Sequence, residues 1–242
     1  MKRGATKVVL LFRDSEGFAS SIFDALRPSP NSSLLHAPPE EESIELSLER
    51  YGIHEQKASA KIIHYVDPQV SLLLMENYEP PVLACAVTEV LSQLTGEEPS
   101  LMPTLIVPFV LALSMLKCER KSSITKESRP SVYRIQVGPE RDITQVLAIR
   151  TEKAPPSLQI HHEPATCLLQ LVRVLKLPTC VLIGQRGRLL SDKAIGEELK
   201  ILYEIGELLA SATGLCFSRE RIVWQPTNAS DDSKEPWRAL YG

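Results

Sequence analysis

The sequence predicts an α/β domain with a mixed β-sheet flanked by helices, and three observations carry that expectation. Short apolar, β-branched runs recur along the chain, among them Lys7–Phe12, Val70–Glu76 and Thr179–Ile183. Between them lie longer segments whose apolar residues repeat every three or four positions, the period of an amphipathic helix. The composition is that of an ordinary globular protein: 242 residues, 43% hydrophobic, 24% charged and only 11 glycines. One domain of this length can bury a sizeable core. It is expected to occupy residues 1–223, with a loop-rich insertion at about 27–57 and a polar C-terminal tail over 224–242.

Taken in order, Lys7–Phe12 (KVVLLF) reads as a buried strand, followed by a polar turn at Arg13–Gly17 and a helix over Phe18–Leu26. The next stretch contains Pro28, Pro30, Pro38 and Pro39 and then Glu40-Glu41-Glu42, so its first half is expected as a solvated loop. Ile44, Leu46 and Leu48 alternate with polar residues, the pattern of a half-exposed strand. Lys61–Val66 and Val70–Glu76 are two further strands joined at the turn dipeptide Asp67-Pro68. Pro80-Pro81 then opens a helix with Leu83, Val87, Val90, Leu91 and Leu94 on one face and Thr95-Gly96 as its stop.

Leu105–Leu113 has strand composition, and Pro108 inside it calls for an edge position or a bulge because proline cannot donate to a ladder. Val132–Val137 and Ile143–Arg150 also have strand composition, although the second could equally begin as a turn of helix. The clearest unit follows. Pro164 suits a first helical turn, Leu168, Leu171, Val172 and Leu175 share a face, and Leu177-Pro178 ends the helix before the strand Thr179–Ile183. After a polar turn at Gly184–Arg188, a helix is predicted from about Lys193 to Ala212, with Glu197 and Glu198 near its positive end and Gly214 beyond its last turn.

The formal charge of −3 lacks the basic excess with which nucleic-acid binders displace counterions, so nucleic acid is not an expected partner. The apolar run Val8–Phe12 is shorter than the ~7–15 residues of a secretory leader's apolar region and far shorter than a membrane span. No membrane partner is expected. Four of the five cysteines, Cys85, Cys118, Cys167, Cys180 and Cys216, sit in apolar stretches without CxxC spacing, which points to buried, reduced thiols.

Catalytic signatures were sought in turn: a GxSxG elbow, a phosphate-cradling GxxxxGK[ST], a GxGxxG after a strand, HExxH, and paired cysteines at zinc spacing. None occurs. His161-His162-Glu163 is the nearest to a ligand cluster, but adjacent side chains at a helix start diverge, so a capping or solvent-facing role is expected there. Gly184-Gln185-Arg186-Gly187-Arg188 lies where open α/β sheets bind ligands, yet it lacks the glycine spacing that brings several amides to one phosphate. Its arginines could equally face an acidic protein. The expectation is a binding protein with no enzyme activity, no metal and no cofactor.

Leu240-Tyr241-Gly242 closes the sequence with an apolar residue, a tyrosine and a last residue whose carboxylate can pair with a lysine. The segment from His161 to Thr179 (HHEPATCLLQLVRVLKLPT) resembles the helix-to-strand signature of the proteasome assembly chaperone 1 family, and the C-terminal triplet is similar to that family's proteasome-binding motif. The resemblance spans roughly the last 140 residues. It implies a chaperone that pairs with a homologous assembly chaperone 2 and promotes α-ring formation of the proteasome core. It also implies proteasome α-subunits as partners, Leu240, Tyr241 and Gly242 as docking residues, and a location in the cytoplasm with the nucleus as second compartment.

Overall fold

The aliphatic run at Lys7–Phe12 forms strand β1, and its residues Val8 to Leu11 have no solvent exposure at all. A strand buried on both faces needs helices above and below it, and both are present. In the computed structural model, which describes residues 5–29, 40–94, 102–118, 132–186 and 192–222, β1 is followed by α1 (Phe18–Ala25) and the short β2 (Leu26–Arg27). β3 (Glu40–Leu46), β4 (Ala58–Tyr65) and β5 (Val70–Met75) then form an antiparallel meander. The predicted alternation is present in β3 and just beyond it: Glu41, Ser43 and Glu45 face solvent, whereas Leu46 and Leu48 are buried.

Helix α2 (Val82–Leu94) carries the chain over β1, burying the predicted face of Leu83, Val87, Val90, Leu91 and Leu94, to β6 (Thr104–Ala112) on the other side. β7 (Leu116–Cys118) pairs with β10 (Leu158–Ile160) as a small ribbon outside the main sheet. β8 (Val132–Val137), α3 (Asp142–Arg150) and β9 (Glu152–Lys153) lead through β10 into α4 (Glu163–Val174), β11 (Thr179–Arg186), α5 (Asp192–Thr213) and β12 (Cys216–Phe217). Among the described residues the main sheet has eight strands in the order β3-β4-β5-β1-β6-β11-β8-β9. The strands β5, β1, β6 and β11 run parallel, and antiparallel pairs flank them. This is the mixed, helix-flanked α/β sheet that the sequence predicts.

Alternate residues of each central strand point to opposite faces. Val8, Leu10, Leu105, Val107 and Val181 pack under α2 and α4, whereas Val9, Leu11, Ile106, Cys180 and Leu182 pack under α1, α3 and α5. The result is three layers with two cores of comparable extent. Gly214 ends α5 as expected: it takes φ +83° and its N–H donates to Ala210 O at 2.9 Å.

Three expectations are corrected. Ile143–Arg150 is helix, because Thr144 Oγ1 accepts from Arg141 N–H at 2.9 Å to cap it and Ile143 and Leu147, four apart, share the face buried beside α5. β-branched composition yields there to packing. Gly184–Arg186 continue β11 instead of turning, paired with Val110 to Ala112 of β6. Gly184 is a close-approach position, since a Cβ there would lie 2.7 Å from Ile201 Cγ2 and 2.9 Å from Ile205 Cδ1 of α5. Of the five thiols only Cys180 is buried; Cys118 and Cys216 are exposed and Cys85 and Cys167 are half-buried.

Candidate functional site: a cleft where the sheet divides

Pro108 lies in β6, in the middle of the sheet and not at its edge. The register explains how the sheet accepts it. Thr104 N–H donates toward β1, to Thr6 O at 3.0 Å, and Leu105 N–H donates toward β11, to Pro178 O at 2.9 Å. By the two-residue alternation, the amides of Ile106 and residue 108 also face β1. The β1–β6 ladder ends at Val9 with Ile106, whereas β11 stays paired to β6 as far as Ala112. Proline therefore stands at the first position where a missing donor stops β1 and β6 from closing further.

Those two strands also diverge topologically. The chain leaves β1 through α1 on one face and returns toward β11 through α4 on the other. Open α/β sheets form their ligand crevice at such a reversal, outside the carboxyl ends of the strands. A cleft of about 350 Å³ occupies that place. Its floor is made by the ends of β1 and β6 with Phe18 and Ile22 of α1, and its rim by residues 13–15, Asn77 to Glu79, and His161 to Pro164.

Three rings line the cleft in series. Phe12 and Phe109 stack with centroids 5.5 Å apart and planes 20° from parallel, and His162 meets Phe109 edge-on at 5.3 Å and 69°. Both helices that begin at the cleft have their first amides occupied by the chain's own groups. Asp14 Oδ1 accepts from Phe18 N–H at 3.0 Å and Oδ2 from Ala19 N–H at 2.8 Å. At α4, His162 Nδ1 accepts from Ala165 N–H at 3.4 Å, and Pro164 has no amide proton. This places the neutral proton of His162 on Nε2. Burial lowers the His162 pKa below its ordinary value, and the Asp14 carboxylate opposes that shift only in part.

Charges around the opening divide into paired and unpaired. The Arg13 guanidinium holds Glu76 at 3.0 Å. At the end of β11, Arg186 lies between Glu16 at 3.1 Å and Glu198 at 3.8 Å, and burial raises the Glu198 pKa against the pull of Arg186. Arg186 is thus engaged within the chain. Glu79 and Glu163 are exposed on the rim and have no ion-pair partner among the described residues.

The predicted capping role of His162 is realised, whereas His161 is exposed at the rim and its N–H donates to Met115 O at 2.7 Å. No group of three or more metal-ligating side chains occurs among the described residues, and no helix among them is long and apolar enough to cross a membrane. Gly187 and Arg188 lie outside the described residues, as do Leu240, Tyr241 and Gly242. Phe12, Asp14, Pro108 and Phe109 were not singled out as site residues in the sequence. The available signal was Pro108, a proline inside an apolar run directly before a phenylalanine.

The sequence model of a family described as Domain of unknown function (DUF7894) matches residues 1–242. No curated protein matches the chain. Among solved structures, PbaB of Pyrococcus furiosus, an archaeal proteasome activator, is similar at 10% identity with a TM-score of 0.48, over 87% of this chain and 84% of its own. An MTA/SAH nucleosidase of Colwellia psychrerythraea in complex with adenine is similar at 7% identity and 0.48, over 88% and 97%. A mutant futalosine hydrolase of Helicobacter pylori is similar at 10% and 0.43, over 86% and 99%. The expectation of no enzyme activity is corrected by these likenesses: nucleosidases and a hydrolase stand among the structures this chain resembles. At such identities the likeness concerns the fold and selects no activity.

Proposed function

The chain belongs to the DUF7894 family, and we propose that it is a proteasome assembly chaperone that docks on the core particle through Leu240, Tyr241 and Gly242. The observation that carries this reading is the sequence of that triplet, an apolar residue and a tyrosine before the last residue. The segment from His161 to Thr179 supports it. Its predicted helix-to-strand passage takes the form of α4 running into β11, the strand next to β6 in the sheet. The proposed partners are proteasome α-subunits and a homologous assembly chaperone 2, met in the cytoplasm and the nucleus.

Magnitudes limit the triplet's share. Burying Leu240 contributes roughly 1.5–3 kcal/mol, and a charge-assisted bond to the last carboxylate roughly 1.5–3 kcal/mol, before ordering costs are subtracted. The globular surface and the partner's own contacts must act with it through effective concentration. Deleting residues 240–242 is expected to weaken capture of α-subunits from cell extract while leaving folding and pairing with the homologous chaperone intact. Unchanged capture would end the docking reading. Another proteasome-docking adaptor would instead co-purify with mature proteasomes, without a homologous partner or immature α-rings.

The cleft favours a second reading, a small-molecule site of the kind α/β enzymes use. The Gly184–Arg188 turn first considered for it is lost, because Gly184–Arg186 are strand and Arg186 is held by two carboxylates.

A further inference from the structure

We infer that the cleft between the ends of β1 and β6 takes a small flat organic cation, an amidinium or a protonated nitrogen heterocycle. This rests on the small-molecule reading of the cleft and adds the ligand class. A volume of about 350 Å³ falls within the range of small-molecule sites and is too small for a folded partner. The stacked Phe12 and Phe109 with the edge of His162 form an aromatic lining that suits a flat ring, and aromatic faces attract cations.

The polar groups select the sign of charge. An anion would need donors, and both helix starts at the cleft have theirs engaged: Asp14 holds the first amides of α1, and His162 caps α4 beside Pro164. Arg13 is tied to Glu76. The groups left for a ligand are acceptors, the carboxylates of Glu79 and Glu163, which have no ion-pair partner among the described residues. A cation over the aromatic lining meets both carboxylates at low desolvation cost, because they stay exposed until it binds.

Three ring compounds of nearly one shape, benzamidine, benzamide and benzoate, separate charge from fit. Each is titrated into the full-length chain and followed by amide chemical shifts. Benzamidine is expected to bind in the millimolar range and to move amides at residues 12–15, 77–79, 109–111 and 161–163. Benzoate is expected to move none of them. The double variant Glu79→Gln, Glu163→Gln changes two exposed side chains outside both cores, and should weaken benzamidine about fivefold or more. Equal binding of all three compounds, or unchanged benzamidine affinity in the double variant, would overturn the cation assignment while keeping the cleft as a site. Binding of none would overturn the small-molecule reading as well.

Discussion

Helix α5 contains two glycines for which the same substitution should act with opposite signs. Gly196 has nothing within 4 Å of a built Cβ. Replacing it by alanine therefore changes only the intrinsic helix preference, a stabilisation of about 0.8–1 kcal/mol. A Cβ on Gly206 would enter the ring of Phe217, reaching Cδ2 at 2.6 Å with two further ring carbons closer still. Ordinary carbon contacts begin near 3.5 Å, so the ring must retreat by roughly 1 Å. Phe217 is not free to do so. It pairs with Leu26 through β12 and β2 and meets Tyr203 edge-on at 6.4 Å. Overpacking of this kind costs about 1–3 kcal/mol. Subtracting the helix gain leaves Gly206→Ala destabilising by about 1–2 kcal/mol, and separates the two variants by about 2–3 kcal/mol. Urea unfolding with a common slope measures both. Adding Phe217→Leu to Gly206→Ala should restore part of the loss. If Gly206→Ala were as stabilising as Gly196→Ala, the close approach of Phe217 to α5 would be wrong.

Two further predictions concern titratable groups. His162 is held neutral by burial, with a folded pKa below the ordinary 6.5, so the unfolded chain binds more protons. Its contribution is fully present above pH 6.5 and is lost as the pH falls toward the folded value. Unfolding curves between pH 7.5 and 5 should be shallower in pH for His162→Asn, which keeps an acceptor for the α4 amide; identical slopes would refute a buried neutral imidazole. Cys180 is buried, its thiol pushed up to about 12 chiefly by desolvation, while Cys118 and Cys216 are exposed. Iodoacetamide should label Cys118 and Cys216 in the folded protein and Cys180 only after unfolding, as read by mass spectrometry; native labelling of Cys180 at the same rate would place it at the surface.

Elements with a strong local signal were legible. Lys7–Phe12, the α2 face of Leu83, Val87 and Leu94, and the passage from α4 to β11 each carry periodicity and punctuation that agree. Ile143–Arg150 was less so, because its β-branched residues favour strand locally and the decision came from α5, far along the chain, against which Ile143 and Leu147 pack. The cysteines show the same limit. An apolar neighbourhood in sequence does not say on which side of a strand or helix a thiol will lie.

The sequence by itself determined that this chain forms an α/β sheet flanked by helices, because hydrophobic period and turn chemistry are written residue by residue. It also carries the Leu240-Tyr241-Gly242 ending on which the docking proposal rests. Only the tertiary structure decided that β1 lies between β5 and β6, that Pro108 stands where the β1–β6 ladder stops, and that Phe12, Phe109 and His162 meet around the resulting cleft. Strand order depends on which side of β1 each crossover passes. That choice is made by contacts between residues about a hundred positions apart, and no local pattern records it.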